Sequence, residues 1–405
     1  MTFQSDSNLL DPDSRSASDS CPTEFSDVWS WWRNQMPVTE RWAYFDHAAV
    51  APLSEPASDM MRSFIDTASQ HGDVYWLDWS ERINQLRSQF AELTHCEPDE
   101  VALVPNTTAG INLIAEGFPF ERGDSVVVPE GEFPSNRFPW LNQKHRGVEV
   151  KTVPRRDHGE VHVDDLINAI DSSTRFIAVS WVGYATGFRI DLDDLVGRAH
   201  QRGVLVLLDA IQGLGMYPLN VQTCDVDFVA ADGHKWMLGP EGAGIAIVRR
   251  RHLPTLHCCT VGWGSVKQSH AFSGAAFDLA DDASRFEGGS ANMPGLMAFS
   301  ASVDMFLAVR RQHGPSAIQE RVLERASTLR RMLVEAGAEL TYALPDSAVH
   351  HSSIVNFRVP RMTPADFRAR GIDQGVVVSC RGDGIRASVH VYNNDEDLKR
   401  LVDLV

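Results

Sequence analysis

Val229-Ala230-Ala231-Asp232-Gly233-His234-Lys235-Trp236-Met237-Leu238-Gly239-Pro240 sets one lysine directly after an apolar, strand-like run, among small, turn-forming and aromatic residues. A long solvated side chain is out of place there. Removed from water, an ammonium loses hydration and its pKa falls, which leaves a neutral amine able to form a Schiff base with a carbonyl. A structural lysine covering a helix start has the same local sequence, so the segment alone leaves both readings open.

The stretch upstream narrows the choice. In Gly203-Val204-Leu205-Val206-Leu207-Leu208-Asp209-Ala210-Ile211-Gln212 the run from Val204 to Leu208 is continuously apolar, the pattern of a strand buried on both faces of a parallel sheet. Asp209 then stands at its carboxyl end, where open α/β sheets place their ligands. Lys235 follows 235 − 209 = 26 positions later, enough for a short crossover and another strand. A carboxylate and a lysine so placed suit pyridoxal phosphate (PLP): the acid keeps the pyridine nitrogen protonated and the lysine holds the aldehyde. At ~4 Å and an effective dielectric of about 20, the acid–pyridinium pair is worth roughly 4 kcal/mol before desolvation.

Five segments, taken in order, carry a family resemblance: Tyr44-Phe-Asp-His-Ala-Ala-Val-Ala-Pro-Leu53, Asn106-Thr-Thr-Ala-Gly-Ile-Asn112, Asp209-Ala-Ile-Gln212, Gly233-His-Lys-Trp236 and Phe286-Glu-Gly-Gly-Ser290. Together the chain resembles the class V aminotransferase family, which includes cysteine desulfurases, selenocysteine lyases, isopenicillin N epimerase and kynureninase. The resemblance implies an α/β fold, PLP transferase fold type I. That fold has a large domain with a mostly parallel sheet flanked by helices and a smaller α+β domain. We divide the chain into a disordered lead (1–24), an N-terminal segment joining the small domain (25–50), a large PLP-binding domain (51–305) and a small C-terminal domain (306–405).

The resemblance also assigns roles. Lys235 is the catalytic lysine, and Asp209 and Gln212 meet the cofactor's ring nitrogen and phenolic oxygen. Thr107 and Thr108, at a helix start where capping and phosphate binding use the same geometry, and His234 face the phosphate. Ser290 reaches the phosphate of a neighbouring subunit, which implies a homodimer. Phe133 stands where desulfurases carry a histidine over the ring; it stacks but transfers no proton. Tyr184 stands where many relatives have an asparagine. Asp232 replaces a common serine, and its charge opposes a phosphate unless an arginine offsets it. Arg386 matches the arginine that clamps the substrate's α-carboxylate, with Arg381 beside it. His47 and Ala48 either approach the substrate or, with Ala49 and Ala51, merely allow close packing.

Composition bounds the rest. Of 405 residues 43% are hydrophobic, the formal net charge is −17, and no apolar run is long enough to span a bilayer. Nucleic-acid and anionic-membrane roles therefore lack electrostatic support. The six cysteines show no CxxC spacing, so no metal is expected and a reducing cytoplasm is.

The reaction expected is one at the α-carbon of an amino acid, run as a lyase, epimerase or aminotransferase. Desulfuration or selenocysteine lysis is the alternative. It is disfavoured because desulfurases carry a cysteine on a long loop before the clamping arginine, whereas Cys380 stands only six positions ahead of Arg386. A catalytically silent PLP-binding scaffold is the reading from outside enzymology.

Overall fold

A computed structural model describes residues 20–156, 159–269, 276–342 and 346–405. Most of the lead expected over 1–24 thus falls outside the described residues.

The central sheet has seven strands, in the order Val101–Val104, Gly244–Val248, Phe228–Asp232, Leu205–Asp209, Thr174–Ser180, Ser125–Pro129, Glu149–Val153. Only Gly244–Val248 runs against its neighbours; every other pairing is parallel. Both faces of the inner strands are covered, which is why the runs from Val204 to Leu208 and from Ile245 to Val248 read as unbroken and apolar, whereas the edge strand Glu149–Val153 is polar and partly exposed. Val206, Leu208, Val229 and Ala231 pack into the core on one face, and Leu207, Phe228 and Ala230 into a second core on the other. Helices Glu55–His71, Trp76–Thr94 and Met293–His313 cover the first face, where the Phe90 and Phe299 rings meet at 5.4 Å. Helix Thr107–Gly117 covers the second. It lies so close that a Cβ on Gly110 would come within 3.0 Å of the Ala230 Cβ, and this approach brings the helix start up to the strand ends.

A four-stranded antiparallel sheet, in the order Ser379–Arg381, Gly384–Ser388, Ile354–Arg358, Glu339–Leu340, packs with helices Pro364–Asp373 and Asp395–Val402 around Phe357, Phe367, Ile385 and Leu398. The apolar run that starts at Val376 is split between two strands, because its halves have different partners. Val376–Val377 pairs in parallel with Ala43–Tyr44, and Ser379–Arg381 pairs with Gly384–Ser388. Helix Trp76–Thr94 begins before the expected Ser80, since Trp79, which is buried, extends the apolar face by a turn. The α/β architecture matches the fold implied by the resemblance.

Candidate active site

The register aligns Asp209 with Ala230; strand Phe228–Asp232 runs two residues further, and the turn carrying Lys235 follows it. That turn is pinned from several sides. Ala51 N–H donates to the His234 carbonyl at 2.7 Å, Gly239 N–H to the Gly233 carbonyl at 2.9 Å, and the His390 Nε2 lies 3.1 Å from the Trp236 carbonyl. Above it opens a cavity of about 250 Å³. Ala48, Thr107, Thr108, Phe133, Tyr184, Asp209, Gln212, His234, Lys235, Arg381 and Arg386 all line it.

Two expected residues do not. His47 is fully buried, with Nδ1 2.9 Å from the Ser388 carbonyl and Nε2 2.5 Å from the Tyr392 hydroxyl, so neither nitrogen is left for a substrate. This corrects the expected approach of His47; Ala48 and Ala49 form the wall instead. Ser290 is exposed and lies outside this cavity. Its segment is anchored nearby, for Arg87 grips the Glu287 carboxylate through both terminal nitrogens at 2.6 and 2.8 Å, and Leu103 N–H donates to the same carboxylate.

Lys235 is buried, and burial is the main reason its ammonium is held below the ordinary lysine range; Asp209 acts against this and Arg386 with it. No carboxylate among the described residues comes within ion-pair distance of Nζ, and the Phe133 ring faces it with its centroid 5.4 Å away. Asp209 is raised well above the carboxylate range, by burial first and then by Glu132. Its Oδ1 accepts from Ile211 N–H at 3.1 Å, and no cation among the described residues pairs with it.

Gln212 is oriented by the Trp236 indole, which donates to its Oε1 at 2.7 Å, and its Nε2 donates to the Ala48 carbonyl at 3.0 Å, leaving one amide proton over. At the helix start Asn106 accepts from Ala109 N–H, Thr108 donates to Ser135 Oγ at 2.7 Å, and the buried Thr107 Oγ1 has no partner. Among the described residues no arginine pairs with Asp232. His234 Nδ1 lies 2.9 Å from its carboxylate, though at an angle outside that of a hydrogen bond.

Arg386 is 1% exposed; its Nε donates to Ser379 Oγ at 3.1 Å, Nη1 to the Tyr184 carbonyl at 2.8 Å and Nη2 to Asp46 at 3.2 Å. Burial lowers it to about 10, so it remains a cation at neutral pH. Three of its five N–H groups are thus engaged and two remain for a carboxylate.

Sequence reasoning missed Asp46 and Glu132. Glu132 is buried and accepts from Ser180 N–H at 2.8 Å and from the Ser180 hydroxyl, and burial raises its pKa. Its signal was weak, because Glu130, not Glu132, directly follows strand Ser125–Pro129 and nothing local says which of the two acids is buried.

The pattern of the family described as Aminotransferase class-V matches residues 43–401, and the chain belongs to that family. It is 28% identical over 400 residues to a probable cysteine desulfurase of Methanothermobacter thermautotrophicus, covering 91% of this chain and 95% of that one. A cysteine desulfurase of Yersinia pseudotuberculosis is 27% identical over 373 residues, covering 89% and 91%. Among solved structures, the apo cysteine desulfurase of Thermococcus onnurineus superposes with a TM-score of 0.83 at 24% identity, covering 92% and 96%. The cystine C–S lyase C-DES, solved with its product cysteine persulfide, gives 0.83 at 22% identity, covering 91% and 98%.

The protein is a PLP-dependent enzyme, and its cavity suits the cofactor. A buried carboxylate without a cation at Asp209 calls for a positive ring N–H, and the orphaned Thr107 hydroxyl at a helix start calls for an anionic oxygen. A carbonyl meets an uncharged amine most readily at Lys235, whose ammonium is already disfavoured.

Proposed function

We propose that this enzyme is a lyase that eliminates the β-substituent of an amino acid, with a sulfur-bearing amino acid as substrate. The observation that carries the reading is the turn between Arg381 and Gly384. Only Gly382 and Asp383 join the two strands there, with Gly382 at φ +57°, so there is no loop to bring a thiol to the cavity. Register places Ser379 opposite Arg386 and Cys380 opposite Ile385, which puts Cys380 on the face away from the clamp. None of the six cysteines, all of them described and free, lines the cavity. The relatives' names point to sulfur-bearing amino acids; the missing thiol favours release of the sulfur over its capture as a protein persulfide.

PLP, when bound, supplies an electron sink for the pair left at the α-carbon. The chain supplies the rest. The two free N–H groups of Arg386 take the substrate carboxylate as a fork, and Arg381 adds positive charge beside it. Lys235, held below its usual pKa, is the base placed for the α-proton. Phe133 and Tyr184, in edge contact at 5.3 Å, wall the cavity with aromatic surface and exclude water. With cysteine the balance is cysteine plus water giving pyruvate, ammonia and hydrogen sulfide.

We further read the protein as a cytoplasmic homodimer in which Ser290 serves the neighbouring site. Its exposed position outside its own cavity supports this. Light scattering on the holoenzyme checks the mass. Among the described residues no helix is long and apolar enough to cross a membrane. Incubating the holoenzyme with L-cysteine and L-cystine and assaying sulfide, pyruvate and alanine tests the reaction: pyruvate with released sulfur is expected, while alanine with a protein-bound persulfide would make it a desulfurase.

A further inference from the structure

A second cavity, of about 390 Å³, opens beside the Trp181–Asp193 segment and is larger than the first. Its walls come from distant parts of the chain and include Arg189, Asp191, Asp193 and Arg310, with Trp181 and Asn220 between them. Among the described residues none of these four charged groups is in an ion pair with anything. Asp194, next in sequence to Asp193, is paired with Arg198, and Glu92, the acid that Arg310 senses, is paired with Arg311.

Arg189 is 8% exposed. It leans on the Tyr217 ring at 4.5 Å and donates to the Gln319 side chain at 3.4 Å and the Ala348 carbonyl at 3.1 Å, but its buried Nε has no partner. Arg310 donates one hydrogen bond, to the Leu93 carbonyl at 2.6 Å. Arg189, buried, and Arg310, half-buried, are held by hydrogen bonds to neutral acceptors alone and so are short of charge compensation, which is an attraction for a carboxylate. Asp193 is exposed, and Asp191, half-buried like Arg310, accepts from Asp194 N–H through Oδ1 at 3.2 Å, which leaves its other oxygen open. Burial lowers the pKa of both arginines, against the opposing pull of Tyr217 and Asp191 on Arg189 and of Glu92 on Arg310.

We propose that this cavity is a second binding site for a free amino acid, separate from the catalytic one. The guanidiniums of Arg189 and Arg310 take the carboxylate, and Asp193 with the open oxygen of Asp191 takes the ammonium. Unpaired charges of both signs around one cavity complement a small zwitterion; a simple anion would leave the acids unanswered and repelling. The site does not depend on which reaction the catalytic cavity performs.

Equilibrium dialysis of the holoenzyme against radiolabelled glycine tests it, with the cofactor's visible absorbance reporting occupancy of the catalytic cavity in the same samples. Two equivalents per chain are expected. Arg310→Gln and the surface change Asp193→Asn should each weaken one equivalent by at least about tenfold and leave the absorbance response intact. A single equivalent in the unaltered enzyme overturns the proposal. So does a second equivalent that both variants retain, or one that acetate displaces as well as glycine does, which would make the site a plain anion site.

Discussion

The ammonium of Lys235 lies 5.4 Å from the centroid of the Phe133 ring, a contact that adds to the pull of the Asp209 and Asp232 carboxylates on it. The ring's negative face favours the protonated amine while burial favours the neutral one, and burial is the larger effect. Phe133→Leu keeps the bulk and removes the quadrupole. Since the ring is partly exposed, the lysine pKa should fall by a few tenths of a unit. The pH dependence of PLP uptake by the apoenzyme reads this out; an unchanged or upward shift contradicts the contact.

Arg386 offers its two remaining N–H groups in a plane fixed by Ser379, Tyr184 and Asp46. A lysine keeps the charge but loses the fork, so Arg386→Lys is expected to raise KM for the amino acid by roughly 30-fold or more, in line with about 2 kcal/mol for a buried charge-assisted pair. Steady-state kinetics on a carboxylate-bearing substrate and on its amide check the assignment. Equal losses for both would remove the carboxylate from this arginine.

Cys380 stands across from Ile385, on the face of its strand opposite to Arg386. Cys380→Ser should leave turnover of L-cysteine within about twofold, because a nucleophile or acid acting in the reaction contributes orders of magnitude more. A loss of a hundredfold in sulfide release would assign the thiol a part in the chemistry and contradict the proposed elimination.

Burial holds the His47 imidazole down at about 4, against an ordinary value of 6.5. Between these values the unfolded chain binds a proton that the folded chain refuses, so stability rises with pH across that window. The contribution is complete above about pH 6.5 and is lost as pH falls toward 4, amounting to about 3 kcal/mol. His47→Asn should be less stable at pH 7.5 yet show a flatter fall in urea midpoint between pH 6.5 and 4.5. Parallel profiles for the two proteins would contradict the assignment.

Much of the scaffold was legible because its strands sit between two layers. Val101–Val104 and the valines of Ser125–Pro129 form strands buried on both faces, since an apolar run of that length has few other homes. Asp209 and Lys235 could be read for the same reason: a charged side chain directly after such a run must answer to something buried. What escaped depends on pairings distant in sequence. Asp46 meets Arg386 across 340 positions, and nothing local marks it as that arginine's partner. His47 looked like a wall residue until Ser388 and Tyr392 closed over both its nitrogens. The run that starts at Val376 does not show its split, because periodicity carries no information about which neighbour each half will find. The second cavity draws its arginines from positions 189 and 310, and no window of sequence contains both.

The central claim is that Lys235 takes the α-proton, and exchange at that carbon tests it most directly. In D₂O the holoenzyme should exchange the α-hydrogen of L-alanine, which has no β-leaving group, as followed by proton NMR. Lys235→Ala, reconstituted with PLP, should exchange it at least about a hundredfold more slowly. Exchange by that variant at the rate of the unaltered enzyme would contradict the account.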